Sequence, residues 1–542
     1  MAEFDYVIVG AGSAGCVLAS RLSEDPGVSV ALLEAGPGDV HPYVSMPRGV
    51  GKLMSMPSHM YFYMTQPEAH TGMRPDVWLR GKLVGGSSSV NGMVWVRGQP
   101  ADYEALAKQA GEDWNWEQFS RAYEEIENHE LGPGPTRGGN GPLRISLPTT
   151  KNALTEAINA AGEAMGWPVK QDVNAPDAGD GVGYMPRTIW RGKRQSASVA
   201  FLRPARSRPN LTVLTGAVTD RVLLDGRRAT GVEILEGGER RTITARREVI
   251  VSAGAVASPG VLERSGIGRP DVLEPLGIPL LHALPSVGEG VSEHRALRMQ
   301  WRLGKPLSYN RDYEGLRLAW NVLRYYLTGD GPMSVAAIDM RACFRSSPEL
   351  NRPDIQAQFG LFSWDVSGEA GGSGLEKEHG FCAVTNPISP ASLGSIHIHS
   401  RDSHELPAIV ANYGVAEKDR AATVAAARLL RRFAEQEPLR RLVVTETLPG
   451  PDAQSDEDIL ASLDQFGCAG MHTVGSCRMG KDEASVVDPD LRVRGIEALR
   501  VVDASVFPVI PSGNTNAPVL ALAWLAARKI AADAPRASKP ET

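Results

Sequence analysis

The chain opens on a short apolar run, Phe4–Val9, that passes without a break into Gly10-Ala11-Gly12-Ser13-Ala14-Gly15. A helix-like apolar stretch, Cys16–Leu22, follows, then a second apolar run, Val28–Leu33, ending in Glu34. This order reads as strand, glycine-rich turn, helix, strand, acid. Gly10 permits the tight turn, Gly12 lets a pyrophosphate approach the backbone, and Gly15 lets the helix pack on the strand. The helix start at Ser13 and Ala14 offers free N–H groups and the positive end of a dipole to a diphosphate. Glu34 stands 19 residues after Gly15, where a carboxylate reaches the adenosine ribose hydroxyls, and Ala35 continues that contact. The expectation is an α/β fold built on a Rossmann-type dinucleotide-binding domain.

Three later segments carry polar chemistry. Arg80–Gly92 (RGKLVGGSSSVNG) is a second glycine- and serine-rich element whose small residues let backbone N–H groups crowd a flat or anionic ligand. Beside a dinucleotide turn it wraps the rest of the same cofactor, with Gly85, Ser88, Asn91, Gly92, Met93 and Val94 as candidate contacts. Gly470–Gly480 sets His472 among small residues. Asp503-Ala504-Ser505 follows a late apolar run, and Pro511–Pro518 (PSGNTNAP) precedes the final apolar stretch. There Thr515 and Asn516 lead into a helix, with Asn516 expected as its N-cap and its dipole aimed at a bound group.

At 542 residues the chain exceeds the roughly 250–300 at which a single core stops growing, so more than one domain is expected. The net charge of −6 and the absence of a long run of one sign disfavour nucleic-acid binding. The five cysteines are scattered and lack CxxC spacing, which implies neither a disulfide framework nor a metal site. The first strand begins too early to leave room for a signal peptide, and no apolar run reaches the ~18 residues of a membrane span. A cytoplasmic protein without a transmembrane segment is expected, with peripheral membrane contact left open.

Along the chain, 37–80 has little regular pattern and reads as a lid-like excursion within 1–150, the first part of the dinucleotide domain. Helical patterns fall in Tyr103–Leu131 and Leu154–Met165. Residues 211–251 read as a β-meander with strands at Leu211–Leu214, Arg221–Leu224, Thr230–Ile234, Arg241–Ile243 and Glu248–Val251. Helices are expected from Pro259 and over Asn516–Ala532, and a strand over Ile496–Asp503. The domain assignment is 1–150, 191–295 and 456–535 for the dinucleotide domain, 151–190 and 296–455 for a sheet-based α+β substrate domain, and 536–542 for a tail.

Taken together, GAGSAG…LLEAG, GKLVGGSSSVNGMVWVRG, GAVASPGVLERSGIG, HTVGSCRMG and RVVDASVFPVIPSGNTNAP resemble the glucose–methanol–choline oxidoreductases along nearly the whole chain. The texture is nearest the bacterial choline dehydrogenase-like and alkanol dehydrogenase-like branch. The resemblance implies FAD rather than NAD, and a substrate domain whose sheet roofs the flavin. It implies that His472 is the catalytic base, that Asn514 orients the substrate oxygen, and that hydride passes from the carbinol carbon to the flavin. It places Val218 at the adenine end, Asp503 and Ala504 at the pyrophosphate and ribityl chain, and Asn91 and Gly92 beside the ring. Val90 occupies the position where some members attach FAD through a histidine, so noncovalent FAD is expected. Two further departures are Gly290-Val291-Ser292-Glu293-His294, where an Asn-Leu-Gln-Asp-His string is usual, and Met471, where an aromatic residue is common. Oxidation of a primary alcohol to an aldehyde is expected, with a quinone, cytochrome or O2 as electron acceptor. Met46, Met54, Met56, Met60, Tyr61, Phe62, Tyr63 and Met64 suggest an apolar aliphatic or aromatic substrate. The alternative is a non-redox, FAD-containing hydroxynitrile lyase-type enzyme.

Overall fold

The computed structural model describes residues 2–149, 151–177, 179–366 and 374–533. The expected tail, 536–542, the last two residues of 456–535, and residue 150 lie outside the described residues.

The opening segment folds as strand Ala2–Val9, helix Ser13–Leu22 and strand Val30–Glu34. These strands enter a seven-stranded sheet in the order Leu211–Thr215, Val30–Glu34, Ala2–Val9, Glu239–Val251, Arg228–Glu236, Ala217–Asp225, with Leu499–Val501 also pairing Glu239–Val251. The first four are mutually parallel. Ile8, Val30, Leu32 and Ile250 are fully buried, as a parallel sheet covered on both faces requires. Helix Asn516–Asp533 packs on helix Ser13–Leu22, so the last helix closes the core begun by the first.

The meander differs from its expectation. Leu211–Thr215 stands outside it and pairs in parallel with Val30–Glu34, because Gly216 at φ +71° turns the chain away before the hairpin begins. Arg241–Ile243 and Glu248–Val251 are one strand of 13 residues, Glu239–Val251. Arg246 and Arg247 interrupt its apolar pattern because both pair with Asp5 across a register shift in the neighbouring strand. The first half of this strand bonds Arg228–Glu236 and its end bonds Leu499–Val501. The expected strand Ile496–Asp503 is only three residues long, Leu499–Val501, because Ala498 adopts a left-handed φ of +56°. The excursion 37–80 is more regular than expected. It holds the helical turns Pro42–Ser45 and Val50–Leu53 and an antiparallel hairpin, Met60–Met64 with Val77–Gly81.

A second seven-stranded sheet is antiparallel, in the order Val443–Leu448, Arg295–Leu303, Gly380–Pro387, Ile355–Gly360, Met340–Phe344, Gly181–Tyr184, with Cys468–Ala469 pairing the start of Arg295–Leu303. Alternation assigns its faces. Leu297, Met299, Ala357, Phe359, Phe381 and Ala383 face three helices. Ile158 of Ala153–Ala164, Leu430 of Glu417–Ala434 and Ile459 of Asp456–Phe466 join them in one core. Ala296, Gln358, Val384 and Asn386 point the other way, into a cavity shared with the first sheet.

Candidate active site

The cavity encloses about 610 Å³ and runs from the glycine-rich turn to His472 and Asn514. At the turn, a Cβ on Gly10 would lie 2.5 Å from the Ser252 carbonyl oxygen, and one on Gly15 would lie 1.9 Å from that of Gly10. Only glycine lets strand, turn and helix approach this closely. No side chain caps the helix at Gly12, which leaves its N-terminus facing the cavity. The buried Glu34 carboxylate accepts from Ala11 N at 3.1 Å and Gly36 N at 2.8 Å. Burial pushes its carboxyl up from the usual range, and those two donors oppose the shift. Asp503 accepts from Gly254 N at 2.9 Å and Ser258 Oγ at 2.5 Å, which fixes the strand end to the next helix.

The second glycine-rich element is bonded to the first. Gly85 N donates to Ala11 O at 2.7 Å, and a Cβ on Gly86 would lie 2.7 Å from Gly12 Cα. Of the residues singled out from sequence, Gly10, Gly12, Ser13, Ala14, Glu34, Ala35, Asn91, Gly92, Met93, Val94, Val218, His472, Asp503, Ala504, Asn514, Thr515 and Asn516 line the cavity. Gly15, Gly85 and Ser88 stand behind it. Ser88 Oγ donates to Gly85 O at 2.6 Å and accepts from Ala197 N at 2.9 Å, so it braces the element. Asn516 is the first helical residue rather than the N-cap. Thr515 O accepts from Val519 N, and the Asn516 side chain accepts from Ser13 Oγ at 2.8 Å, joining the starts of the first and last helices.

At the other end, Asn514 Nδ2 donates to His472 Nε2 at 2.8 Å, and Asn514 Oδ1 accepts from Gln358 Nε2 at 2.8 Å. His472 Nδ1 lies 2.9 Å from Nδ1 of His294, whose Nε2 lies 2.8 Å from Ile388 O. Glu293 accepts from the backbone N of His472 at 2.7 Å and of His294 at 2.9 Å, and from Thr473 Oγ1 and Arg80. Burial holds the His472 imidazole well below the ordinary histidine range, with the neighbouring His294 and the positive charges of Arg80 and Arg341 acting the same way. Met471, at φ +65°, accepts from Leu79 N and Arg80 through its sulfur, so it ties the hairpin 60–81 to the histidine loop.

Sequence reasoning noted Glu293 and His294 only as part of a departure from the family string, without a role, and missed Gln358 and Asn386. A histidine after an acid at the start of a buried strand was one available signal, and two glutamines in Ile355–Gly360 (IQAQFG) were another. Of the excursion's apolar residues, Met54, Met60, Tyr61 and Tyr63 line the cavity, whereas Met46 packs on Tyr325 and Met333.

The residues present fit a flavin dinucleotide: a glycine cradle, a buried acid and two helix N-termini lead to a roofed chamber holding a neutral imidazole. A dinucleotide cleft continuous with such a base suits a flavin-dependent oxidoreductase. Models of the GMC oxidoreductase family match residues 4–296 and 390–523. The oxygen-dependent choline dehydrogenase of Chromohalobacter salexigens is 38% identical over 97% of this chain and 95% of its own, and that of Serratia proteamaculans is 38% identical over 97% and 96%. Among solved structures, pyridoxine 4-oxidase from Mesorbium loti superimposes with a TM-score of 0.88 at 30% identity, covering 98% of this chain and 100% of that one. A formate oxidase variant of Aspergillus oryzae gives 0.90 at 25% identity, with 98% of each covered. The chain belongs to the GMC oxidoreductase family. It is an FAD-dependent oxidoreductase acting on CH–OH donors. Among the described residues no helix is long and apolar enough to cross a membrane.

Proposed function

We propose that this enzyme oxidises a medium-sized or bulky primary alcohol, apolar and aliphatic or aromatic, to its aldehyde, with His472 as the base. The observation that carries the reading is the His472–Asn514 pair at 2.8 Å on the cavity wall, beneath the roof residue Gln358. His472 Nε2 takes the hydroxyl proton as Asn514 Nδ2 shifts its hydrogen bond from that nitrogen to the substrate oxygen, and a positioned base of this kind contributes about 10²–10⁴-fold. FAD, when bound, supplies the hydride acceptor. The first-sheet end of the cavity holds it through Gly10, Gly12, Ser13, Ala14, Glu34, Ala35, Val218, Asp503 and Ala504. Asn91, Gly92, Met93, Val94, Thr515 and Asn516 border its ring end, and the aliphatic Val90 leaves it noncovalent.

The relatives named above include choline dehydrogenases, and Tyr61, Tyr63 and Glu405 line the cavity, yet the roof residues Ala296, Gln358, Val384 and Asn386 carry no charge, and Met54, Met60 and Met93 add apolar lining. This favours an uncharged alcohol over a quaternary ammonium, which calls for an anionic or aromatic cage. The reading includes a cytoplasmic setting, supported by free thiols that include the buried Cys16, Cys382 and Cys477. It also keeps the domain division given above, since 1–150, 191–295 and 456–535 supply every strand of the first sheet, although Asp456–Phe466 and Cys468–Ala469 pack with the second. The lyase-type alternative finds no support among the relatives.

The test is anaerobic mixing of the holoenzyme with aliphatic, benzylic and quaternary ammonium alcohols while the flavin band is followed. Bleaching by the uncharged alcohols, lost in His472→Ala with FAD retained, is expected. Bleaching by choline alone would overturn the substrate class, and fast bleaching in His472→Ala would overturn the base.

A further inference from the structure

We propose that His294 is a positioning residue that selects the tautomer of His472, and that the backbone carbonyl of Ile388 sets the selection. The inference rests on His472 being the base. A carbonyl oxygen only accepts, so the 2.8 Å contact from Ile388 O requires hydrogen on His294 Nε2. A neutral imidazole carries one such hydrogen, so His294 Nδ1 is an acceptor. The atom 2.9 Å from it, His472 Nδ1, is therefore the donor. The remaining nitrogen of His472, Nε2, then bears the lone pair and faces the cavity, where Asn514 Nδ2 donates to it.

Three features hold the pair in this state. His294 is fully buried, and burial lowers its imidazole to about 4, so it stays neutral through the physiological range. The rings meet edge-on, with centroids 5.0 Å apart and planes at 82°, which aims one nitrogen at the other. Gly470 makes the approach possible: a Cβ there would lie 2.7 Å from His294 Cβ and 3.0 Å from His472 Nδ1. Glu293 meanwhile anchors both backbones.

The consequence for the proton is specific. As the alcohol O–H bond breaks, the new N–H bond forms at His472 Nε2. His294 Nε2 already holds a hydrogen whose acceptor, a carbonyl, cannot take it up. The proton therefore cannot leave through the buried side and returns by way of the cavity.

The test uses the FAD-loaded enzyme and three variants. His294→Leu removes the acceptor, and His294→Asn places an amide oxygen near the Nδ1 position. Gly470→Ala pushes the rings apart from the other side, which keeps the test available if the leucine variant does not fold. Flavin reduction at saturating alcohol is expected to fall about 10²-fold in His294→Leu with KM little changed, and His294→Asn is expected to recover about tenfold. Nitrogen-15 spectra of histidine-labelled protein should show His472 protonated at Nδ1 in the parent and shifted toward Nε2 in His294→Leu and Gly470→Ala. A parent spectrum with His472 protonated at Nε2, or a parental rate in His294→Leu, would overturn the proposal. His472→Ala separates the two readings: if it abolishes reduction while His294→Leu is unaffected, only the positioning role falls. If His472→Ala still reduces flavin rapidly, the base assignment falls and the positioning role with it.

Discussion

His472 can act as a base only while Nε2 is unprotonated, so its proton affinity fixes the acid side of the pH profile. Burial, reinforced by His294, Arg80 and Arg341, holds that affinity well below the ordinary histidine range. A lowered value means that the base form persists as pH falls through about 6.5, where an unperturbed imidazole would be half protonated. The expected profile of kcat/KM for a good alcohol is flat from about pH 8 to about 6 and declines only in stronger acid. Stopped-flow reduction across that range checks it, and a half-maximal point at the ordinary histidine value would contradict the buried, neutral imidazole. At this scale the chain was readable where chemistry sits in glycine-rich surroundings. His472, Asn514 and Gly12 lie in segments whose composition already sets them apart. Glu293, His294 and Gln358 do not, because each lies in or beside an apolar strand. Their meaning comes from partners far away in sequence: 179 residues separate Glu293 from His472, and 156 separate Gln358 from Asn514.

Among elements, helix Ser258–Arg264 is tied to the three-stranded sheet of Glu289–Val291, Gly394–His397 and Ala408–Val410 by one imidazole. His397 Nδ1 lies 2.6 Å from Glu263 Oε1 and its Nε2 lies 3.2 Å from Glu289 Oε1. Burial works against the charged ring, but the bonds and charges of Glu263 and Glu289 outweigh it and raise the imidazole above its usual value. A histidine raised on folding stabilises the protein fully below its unfolded value of about 6.5, and this is lost as pH rises through the folded value. Melting temperature is therefore expected to fall more steeply as pH rises above about 6.5 in the parent than in His397→Gln, with cofactor saturation held constant. Parallel curves would show that the ring is neutral in the fold. Element boundaries were legible to within a residue in Ala153–Ala164, whereas the strands of the hairpin, Ala217–Asp225 and Arg228–Glu236, run beyond the stretches Arg221–Leu224 and Thr230–Ile234 that alternation marks. They failed where a tertiary partner overrode the local pattern: Asp5 holds the arginine pair inside one long strand, and Ala498 cuts another short.

For the whole molecule, the cavity is the joint between two sheets assembled from interleaved stretches of chain. Its wall takes Gly10 from the start, Val218 and Ala253 from the middle, Val384 from the second sheet, and Asn514 from the end. A ligand that fills this space contacts segments that no single stretch of chain brings together, so binding and folding are coupled. A molecule that binds only the folded state stabilises it by RT ln(1 + [L]/Kd), about 2.7 kcal/mol at a hundredfold excess over Kd. With Val90 offering no atom for a covalent bond, acid precipitation should release all of the flavin to the supernatant. The stripped protein should melt at a lower temperature and regain stability as FAD is added back, with the midpoint still rising logarithmically beyond saturation of the site. Asp503→Ala should shift that titration to higher FAD, because it unties Gly254 N and Ser258 Oγ, which fix the strand end against the next helix beside Ala504. Flavin that stays with the precipitate would establish a covalent link. A melting temperature that ignores added FAD would mean that the two sheets close on each other without it.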